Sequence, residues 1–518
     1  MTRRANDLGH TIAALEPEIA AYEIGRIYMA LLPDDFRARH GVYYTPPALT
    51  KHLTDRATSY GVDWSTCTVL DPACGGGAFL APAARRMLDA AKSLKPAAVL
   101  ATIGSRLYGY EIDPLSGWLA QVSIDAMLFP FGVRADRPLP LVVKICDALG
   151  EIEALPEVDL VIGNPPYGRI SLSPAHRQRF ARSLYGHANL YGVFTDLALR
   201  RVKPSGMVAY VTPTSFLSGE YFKNLRRVLG VDAAPVTIDF VTARKGVFDD
   251  VLQEILLATY RRGASVQPIR IAAVTPTPDG EIETADLGSS LPPEDTAQPW
   301  ILPRSEAQAV LVERLNSMPH RLRDWGYEVS TGPLVWNRHK KQLRFANGGA
   351  ELPLIWAEAI TADGRFVYRA EKRNHAPYFL PQKGDDWLVT DTPCVLMQRT
   401  TAKEQRRRLI AAALPRDFLV RHKGVVIENH VNMVKPVAAA PAVPPETVAA
   451  FFNSLAADHA FRCLSGSVAV SAYELEALPL PAPAAMAAVT NLIRGRADRK
   501  RIDAACARLY TRPLKNAG

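Results

Sequence analysis

Between Thr68 and Tyr260, short apolar runs alternate with longer stretches whose apolar residues recur every three or four positions. The short runs are Thr68–Leu70, Leu107–Tyr110, Leu141–Cys146, Leu160–Gly163, Gly206–Thr212, Val236–Phe240 and Gln253–Tyr260. Bounded by turn-forming residues, they read as buried strands, and the stretches between them carry the helical period. Strands alternating with helices predict a doubly wound α/β sheet. Upstream, residues 1–40 read as helical, followed by a tight Gly41–Pro47 segment and a helix to about Tyr60. Residues 274–299 are rich in Pro, Thr, Asp, Glu, Gly and Ser, so 266–300 reads as a linker. From 301 onward the rhythm changes to short strand-like pieces and a few helices, ending in a basic helix from about Ala484 to Tyr510. The expected organisation is a helical segment over 1–40, an α/β domain over 41–265, a linker over 266–300 and a mixed α+β domain over 301–518.

Composition narrows the class without changing this picture. The chain has 518 residues, 48% hydrophobic and 22% charged, which suits a folded multidomain protein. No run approaches the roughly 18 apolar residues of a membrane helix, so no membrane partner is expected. The six cysteines are scattered without a C-x-x-C pair; they read as reduced thiols of a cytoplasmic protein, and no metal site is expected. Charge is more telling. The net charge is +9, but residues 301–518 carry 31 basic and 20 acidic side chains, leaving 1–300 slightly acidic. A polyanion bound mainly by the C-terminal part would explain that asymmetry.

Four motifs carry chemistry. Asp71-Pro72-Ala73-Cys74-Gly75-Gly76-Gly77 follows the first strand and precedes a helix. A glycine-rich turn lets backbone approach a ligand closely. It is not G-x-G-x-x-G, and the strand-end carboxylate of Asp71 suits a cationic ligand better than a pyrophosphate; S-adenosylmethionine carries both an ammonium and a sulfonium. Glu111, at the end of the next strand, can accept ribose hydroxyls, with Ile112 packing on adenine. Asp147 follows the third strand and could accept from an adenine amino group, although an Asp there is commonly a turn residue. Decisive is Val158–Gly163 running into Asn164-Pro165-Pro166-Tyr167. The two prolines stiffen the loop. They hold the Asn164 side-chain oxygen and the Pro165 carbonyl as paired acceptors for a planar exocyclic amine, while Tyr167 offers a face for stacking.

In this order the motifs resemble the γ-class amino-group DNA methyltransferases, the TaqI-like and Eco57I-like adenine-N6 enzymes, over roughly residues 25–260. The resemblance implies a Rossmann-like S-adenosylmethionine-dependent methyltransferase domain, followed by a mixed α+β target-recognition domain, acting on double-stranded DNA. Gly41–Pro46 matches motif X, which places Tyr44 and Thr45 at the cofactor. Asp71, Ala73 and Gly75 fall in motif I, Glu111 and Ile112 in motif II, Asp147 in motif III. Asn164, Pro165, Pro166 and Tyr167 form the catalytic motif IV, with Asn164 also beside the cofactor. Asn189–Phe194 resembles motif V and Gly206–Phe216 motif VI. Gly246-Val247-Phe248 resembles motif VIII, which makes Phe248 a second stacking residue for a flipped base. The 40 positions from Asp71 to Glu111 imply an extra or longer helix between their strands, and Ala148 is small where some relatives carry bulk.

Two C-terminal blocks resemble specificity regions: Gln398–Arg408 with Glu428–Asn432, and Leu464–Ser467 leading to Tyr473 and Pro479. Arg399, Arg406, Arg407, Asn429, His430 and Asn432 are the candidate DNA-binding residues, because Arg and Asn read guanine and adenine edges and arginines hold phosphates. A solvated helix face is the competing account of Arg406–Arg408. Cytosine-N4 methylation, usually with Ser-Pro-Pro, and the RNA or protein amino-methyltransferases that share N-P-P-Y stay open. With no P-D…E-x-K array evident, a separate cognate endonuclease or an orphan role is expected, and a palindromic target would admit a homodimer.

Overall fold

The computed structural model describes residues 12, 14–32, 45–242, 254–277, 279–400, 407–464 and 469–511. Tyr44, Phe248, Arg406 and Ser465–Ser467 lie outside them. The chain divides into two compact units, one reaching to Gln298 and the other comprising most of 299–518.

The first unit runs α1 (Pro17–Leu31), α2 (Pro47–Ser59), β1 (Val69–Asp71), α3 (Leu80–Ala90), α4 (Pro96–Arg106), β2 (Leu107–Glu111), α5 (Pro114–Ala135), β3 (Val143–Ile145), β4 (Val158–Gly163), β5 (Arg169–Ile170), α6 (Pro174–Arg179), β6 (Ala188–Asn189), α7 (Leu190–Arg201), β7 (Val202–Pro213), α8 (Lys223–Asp232), β8 (Pro235–Val241), β9 (Ile255–Arg261), β10 (Ile269–Pro276) and β11 (Ile282–Ser290). All seven expected strands form. The long Asp71–Glu111 interval holds two helices, α3 and α4.

Nine strands make one sheet in the order β11-β10-β8-β9-β7-β4-β1-β2-β3. β1, β2, β3, β4 and β7 are parallel; β9 runs antiparallel to both β7 and β8. The order reverses between β1 and β4, so their carboxyl ends open the crevice where α/β sheets bind ligands. Val158, Leu160, Val161 and Ile162 of β4 are fully buried, as a central strand covered on both faces requires. α3 shows why a helix lies there: Leu80, Ala83, Ala84, Met87 and Leu88 are its buried stripe. α5 starts on Pro114, with the Asp113 carboxylate accepting from the Ser116 amide.

The linker expected over 266–300 is corrected. Its β10 pairs parallel with β8 and antiparallel with β11, extending the sheet. Ile269, Ile271 and Val274 are buried. β11 is an edge strand with most residues exposed, so its composition imitates a loop.

In the second unit the strands are β12 (Tyr327–Thr331), β13 (Leu343–Arg344), β14 (Leu352–Ile355), β15 (Tyr378–Phe379), β16 (Val389–Thr390), β17 (Val395–Gln398), β18 (Ala411–Ala413), β19 (Val425–Ile427) and β20 (Val431–Pro436). They form a four-stranded sheet, β12-β20-β17-β18, and a five-stranded one, β13-β15-β14-β19-β16. Trp325, Phe451, Phe452 and Phe461 centre its largest core. The single C-terminal helix is also corrected: helices Ala487–Arg494 and Arg499–Thr511 are separated where Arg496 takes a left-handed φ of 53°.

Candidate cofactor and catalytic site

A cavity of about 330 Å³ opens at the β1/β4 crevice. β1 delivers Asp71, β2 delivers Glu111, the turn after β3 delivers Asp147, and β4 delivers Asn164; Thr45, Ala73, Gly75 and Ile112 also line it. No Lys or Arg lines it among the described residues. It is therefore an acidic, partly apolar pocket, suited to a ligand with positive charge and a ring.

The turn after β1 takes its shape from glycine. Gly77 has φ +88°, and a Cβ there would lie 3.1 Å from the Ala120 backbone of α5. Gly163, the last residue of β4, faces Asp71: a Cβ would lie 2.7 Å from Oδ1. That missing side chain lets the Asp71 carboxyl sit between the two strand ends, where it accepts from the Ala73 amide at 3.2 Å. Burial pushes its pKa up to about 8, and the neighbouring Glu111 charge adds to the rise.

Glu111 is held at both oxygens, Oε2 by the Gly75 amide at 2.8 Å and Oε1 by the Asp113 amide at 2.9 Å. Burial raises its pKa, against those two amide hydrogen bonds. Each oxygen keeps a second lone pair for a ligand. Asp147 is exposed and accepts from the Leu149 amide at 3.0 Å, the turn geometry that the sequence also allowed.

At the end of β4, the Asn164 amide group donates from Nδ2 to Thr45 Oγ1 at 3.1 Å. Its Oδ1 is buried without a hydrogen-bond partner among the described residues. A buried carbonyl left unsatisfied costs about 1–3 kcal/mol, so the site favours an incoming donor. Pro165 is buried and Pro166 lines the cavity. The half-buried Tyr167 ring meets Tyr191 edge-on at 6.1 Å, and its hydroxyl donates to the Val211 carbonyl at 3.3 Å. Burial raises its pKa, keeping the phenol neutral.

The segment after Tyr167 was missed by sequence reasoning. Ser171, Leu172, Ser173 and His176 line the same cavity. Arg179 of α6 donates to the Leu149 carbonyl at 3.4 Å, which ties this wall to the β3 turn. Nothing in its composition marks it as a lining segment; only the return of the chain past the pocket does.

Residues 146–248 match the Eco57I restriction-modification methylase family. The chain carries a methylase domain of that kind. Its type II methyltransferase relatives include M.BsuBI of Bacillus subtilis, 26% identical over 61% of this chain and 64% of that protein. M.PstI of Providencia stuartii is 25% identical over 67% of this chain and 70% of its own length. The chain thus spans about two thirds of these relatives. Among solved structures, the type IIL restriction-modification enzyme MmeI in complex with DNA shares the fold, with a TM-score of 0.53 at 12% identity over 95% of this chain and 79% of that one. The matched span covers Asp147, Asn164 and Tyr167 of the methylase domain.

The candidate DNA-binding residues fall in the second unit and separate into two groups. Arg399, Asn429 and His430 come together: the Arg399 guanidinium donates to the Asn429 carbonyl at 3.1 Å, and His430 is exposed beside buried Glu428, 2.8 Å away. Asn432 is corrected to a structural role, and Arg407 has carbonyl partners of its own unit. Asn432 is fully buried on β20 and donates to the Val470 carbonyl at 2.8 Å. The partly exposed Arg407 guanidinium donates to the Asn453 and Ala362 carbonyls, at 2.7 and 2.6 Å. A local R-R-R run cannot reveal which arginines turn inward; packing of the following strand decides it.

Proposed function

We propose that the chain is a DNA methyltransferase of restriction-modification type that uses S-adenosylmethionine to methylate the N6 amino group of adenine in double-stranded DNA. The observation that carries this is Asn164: its Nδ2 is held by Thr45, so its partnerless Oδ1 faces the role of acceptor. With the Pro165 carbonyl it would accept both hydrogens of an exocyclic amine and free the nitrogen lone pair, which is positioning and preorganisation rather than covalent catalysis. The acidic pocket fits the cofactor: Asp71 and Asp147 supply carboxylates, Glu111 the ribose acceptor, and Thr45, Ala73, Gly75 and Ile112 the remaining wall. Bound there, S-adenosylmethionine supplies an electrophilic methyl group. The base would have to leave the duplex to reach Asn164, costing a few kcal/mol. Stacking on Tyr167 returns about 1–3 kcal/mol of that. The basic C-terminal unit would hold the DNA, and a palindromic target would bring two copies together.

Expression in a methylation-free bacterial host, followed by sequencing that detects modified bases, tests this directly. One recognition motif bearing N6-methyladenine, lost with Asn164→Ala, is the expected result. N4-methylcytosine would overturn the base assignment, and an unmodified genome alongside intact cofactor binding would move the substrate to RNA or protein.

A further inference from the structure

One group of unpaired cations in the second unit lies outside the specificity motifs. Residues Trp336–Gln342 form two consecutive 3₁₀ turns, Trp336–Arg338 and Lys340–Gln342. A 3₁₀ helix has three residues per turn, so every third residue shares a face. Trp336, His339 and Gln342 are that face, and each is anchored. Trp336 packs on the core beside Trp356, ring centroids 6.4 Å apart. His339 sits edge-on to Phe379 at 5.9 Å and hydrogen-bonds Gln342 at 2.9 Å. Gln342 is buried, donating to the Asp385 carboxylate at 2.5 Å and to the Leu380 carbonyl at 3.3 Å.

The residues between the anchors, Asn337, Arg338, Lys340 and Lys341, are all exposed. The three cations make no ion pair among the described residues; Lys340 instead lies 5.6 Å over the Trp336 ring. Other cations of this unit are neutralised, such as Arg462 by Asp458 and Arg499 by Asp503. The knob is also joined to the other candidates. Leu334, just before it, donates to the Ile427 carbonyl and accepts from the Asn429 amide, at 3.1 and 3.0 Å. Arg399 donates from its amide to the His430 carbonyl at 2.9 Å. One hydrogen-bonded frame therefore links the segment that leads into Arg338, Lys340 and Lys341 to the segments of Arg399, Asn429 and His430.

We infer that the Asn337–Lys341 knob is a preformed phosphate clamp that grips the backbone of duplex DNA. It rests on the proposed DNA substrate and adds the residues that hold it. Unpaired cations on an anchored turn release counterions from DNA without first breaking ion pairs, and backbone contacts position the protein without reading bases.

The test is duplex binding by the full chain across a salt series, for wild type, for Arg338→Ala/Lys340→Ala/Lys341→Ala, and for Lys340→Arg/Lys341→Arg. Each phosphate contact contributes about 0.9 to the slope of log K against log salt, so the triple variant should lose about 2 to 3 from that slope. Its affinity should fall at least about tenfold, equally for sequences with and without the recognition motif, while the arginine variant keeps the wild-type slope. A thermal melt matching wild type shows the triple variant folded. Unchanged slope and affinity in the triple variant would overturn the clamp and leave the DNA reading standing. Wild type that binds no duplex would overturn both, and a loss confined to single-stranded RNA would reassign the knob.

Discussion

At the residue scale, the pocket is governed by what burial does to its acids. Asp71 has its pKa raised to about 8 by desolvation. A carboxyl whose folded pKa lies above its unfolded value destabilises the fold progressively as pH rises from about 4 to 8, because the unfolded chain gives up its proton first. Asp71→Asn should therefore stabilise the free protein above pH 8 relative to wild type, with the difference vanishing near pH 4 in urea melts. A cationic ligand favours the ionised form, so binding S-adenosylmethionine at pH 7 should release a proton from Asp71. Titration calorimetry in buffers of different ionisation enthalpy reads this; an enthalpy independent of buffer would show that Asp71 is already ionised. Gly163→Ala tests the same carboxyl by crowding it, with a Cβ 2.7 Å from Oδ1. The expected result is a loss of about 1–3 kcal/mol in stability, as for other overpacked core sites.

At the scale of elements, the geometry of Asn164, the proposed catalytic residue, depends on a helix. Thr45 lies two residues before α2, so whatever fixes α2 fixes the hydrogen bond to Asn164. α2 is fixed to β8 by Asp239, whose buried carboxylate accepts from Arg56 Nε at 2.7 Å and pairs with His52 Nε2 at 2.7 Å. Those two partners outweigh burial and hold the Asp239 pKa below the ordinary carboxylate range. Its stabilising contribution is therefore present above the ordinary carboxylate pKa and lost as pH falls through the lower folded value. Asp239→Ala leaves Arg56 without its buried partner, and breaking a buried pair costs roughly 3–5 kcal/mol. Denaturant unfolding should show a loss of that order near neutrality, together with a weaker acid dependence than wild type. An unchanged midpoint would remove Asp239 from the account of α2.

At the scale of the molecule, the pocket belongs to one compact unit and the free basic turn to the other. Ligand binding to the native state stabilises whichever unit holds the site, by about 2.7 kcal/mol at 100 times Kd. Saturating S-adenosylmethionine should accordingly slow amide exchange within residues 45–298, strongest at 71–77 and 109–113, before any change in 307–511. Protection appearing first in the second unit would place the cofactor elsewhere.

Much of the first unit could be read from the chain itself, because buried parallel strands and amphipathic helices write their periods into sequence and because Asp71, Glu111 and Asn164 each stand at a strand end. The spacing from Asp71 to Glu111 left an extra or a longer helix open, and two helices fill it. Local pattern misjudged β11, since an edge strand exposes one face and its polar composition matches a loop, and with it the inner strand β10 that β11 covers. It could not say which way the arginines after Gln398 point, since Arg407 looks the same in a sequence whether it faces phosphate or carbonyls, and it passed over the lining at Leu172 and His176. Side-chain direction, the pairing of Nδ2 of Asn164 with Thr45 across 119 positions, and the three-residue period that turns Arg338, Lys340 and Lys341 outward are long-range or packing outcomes. They are decided only when the units close around their cores.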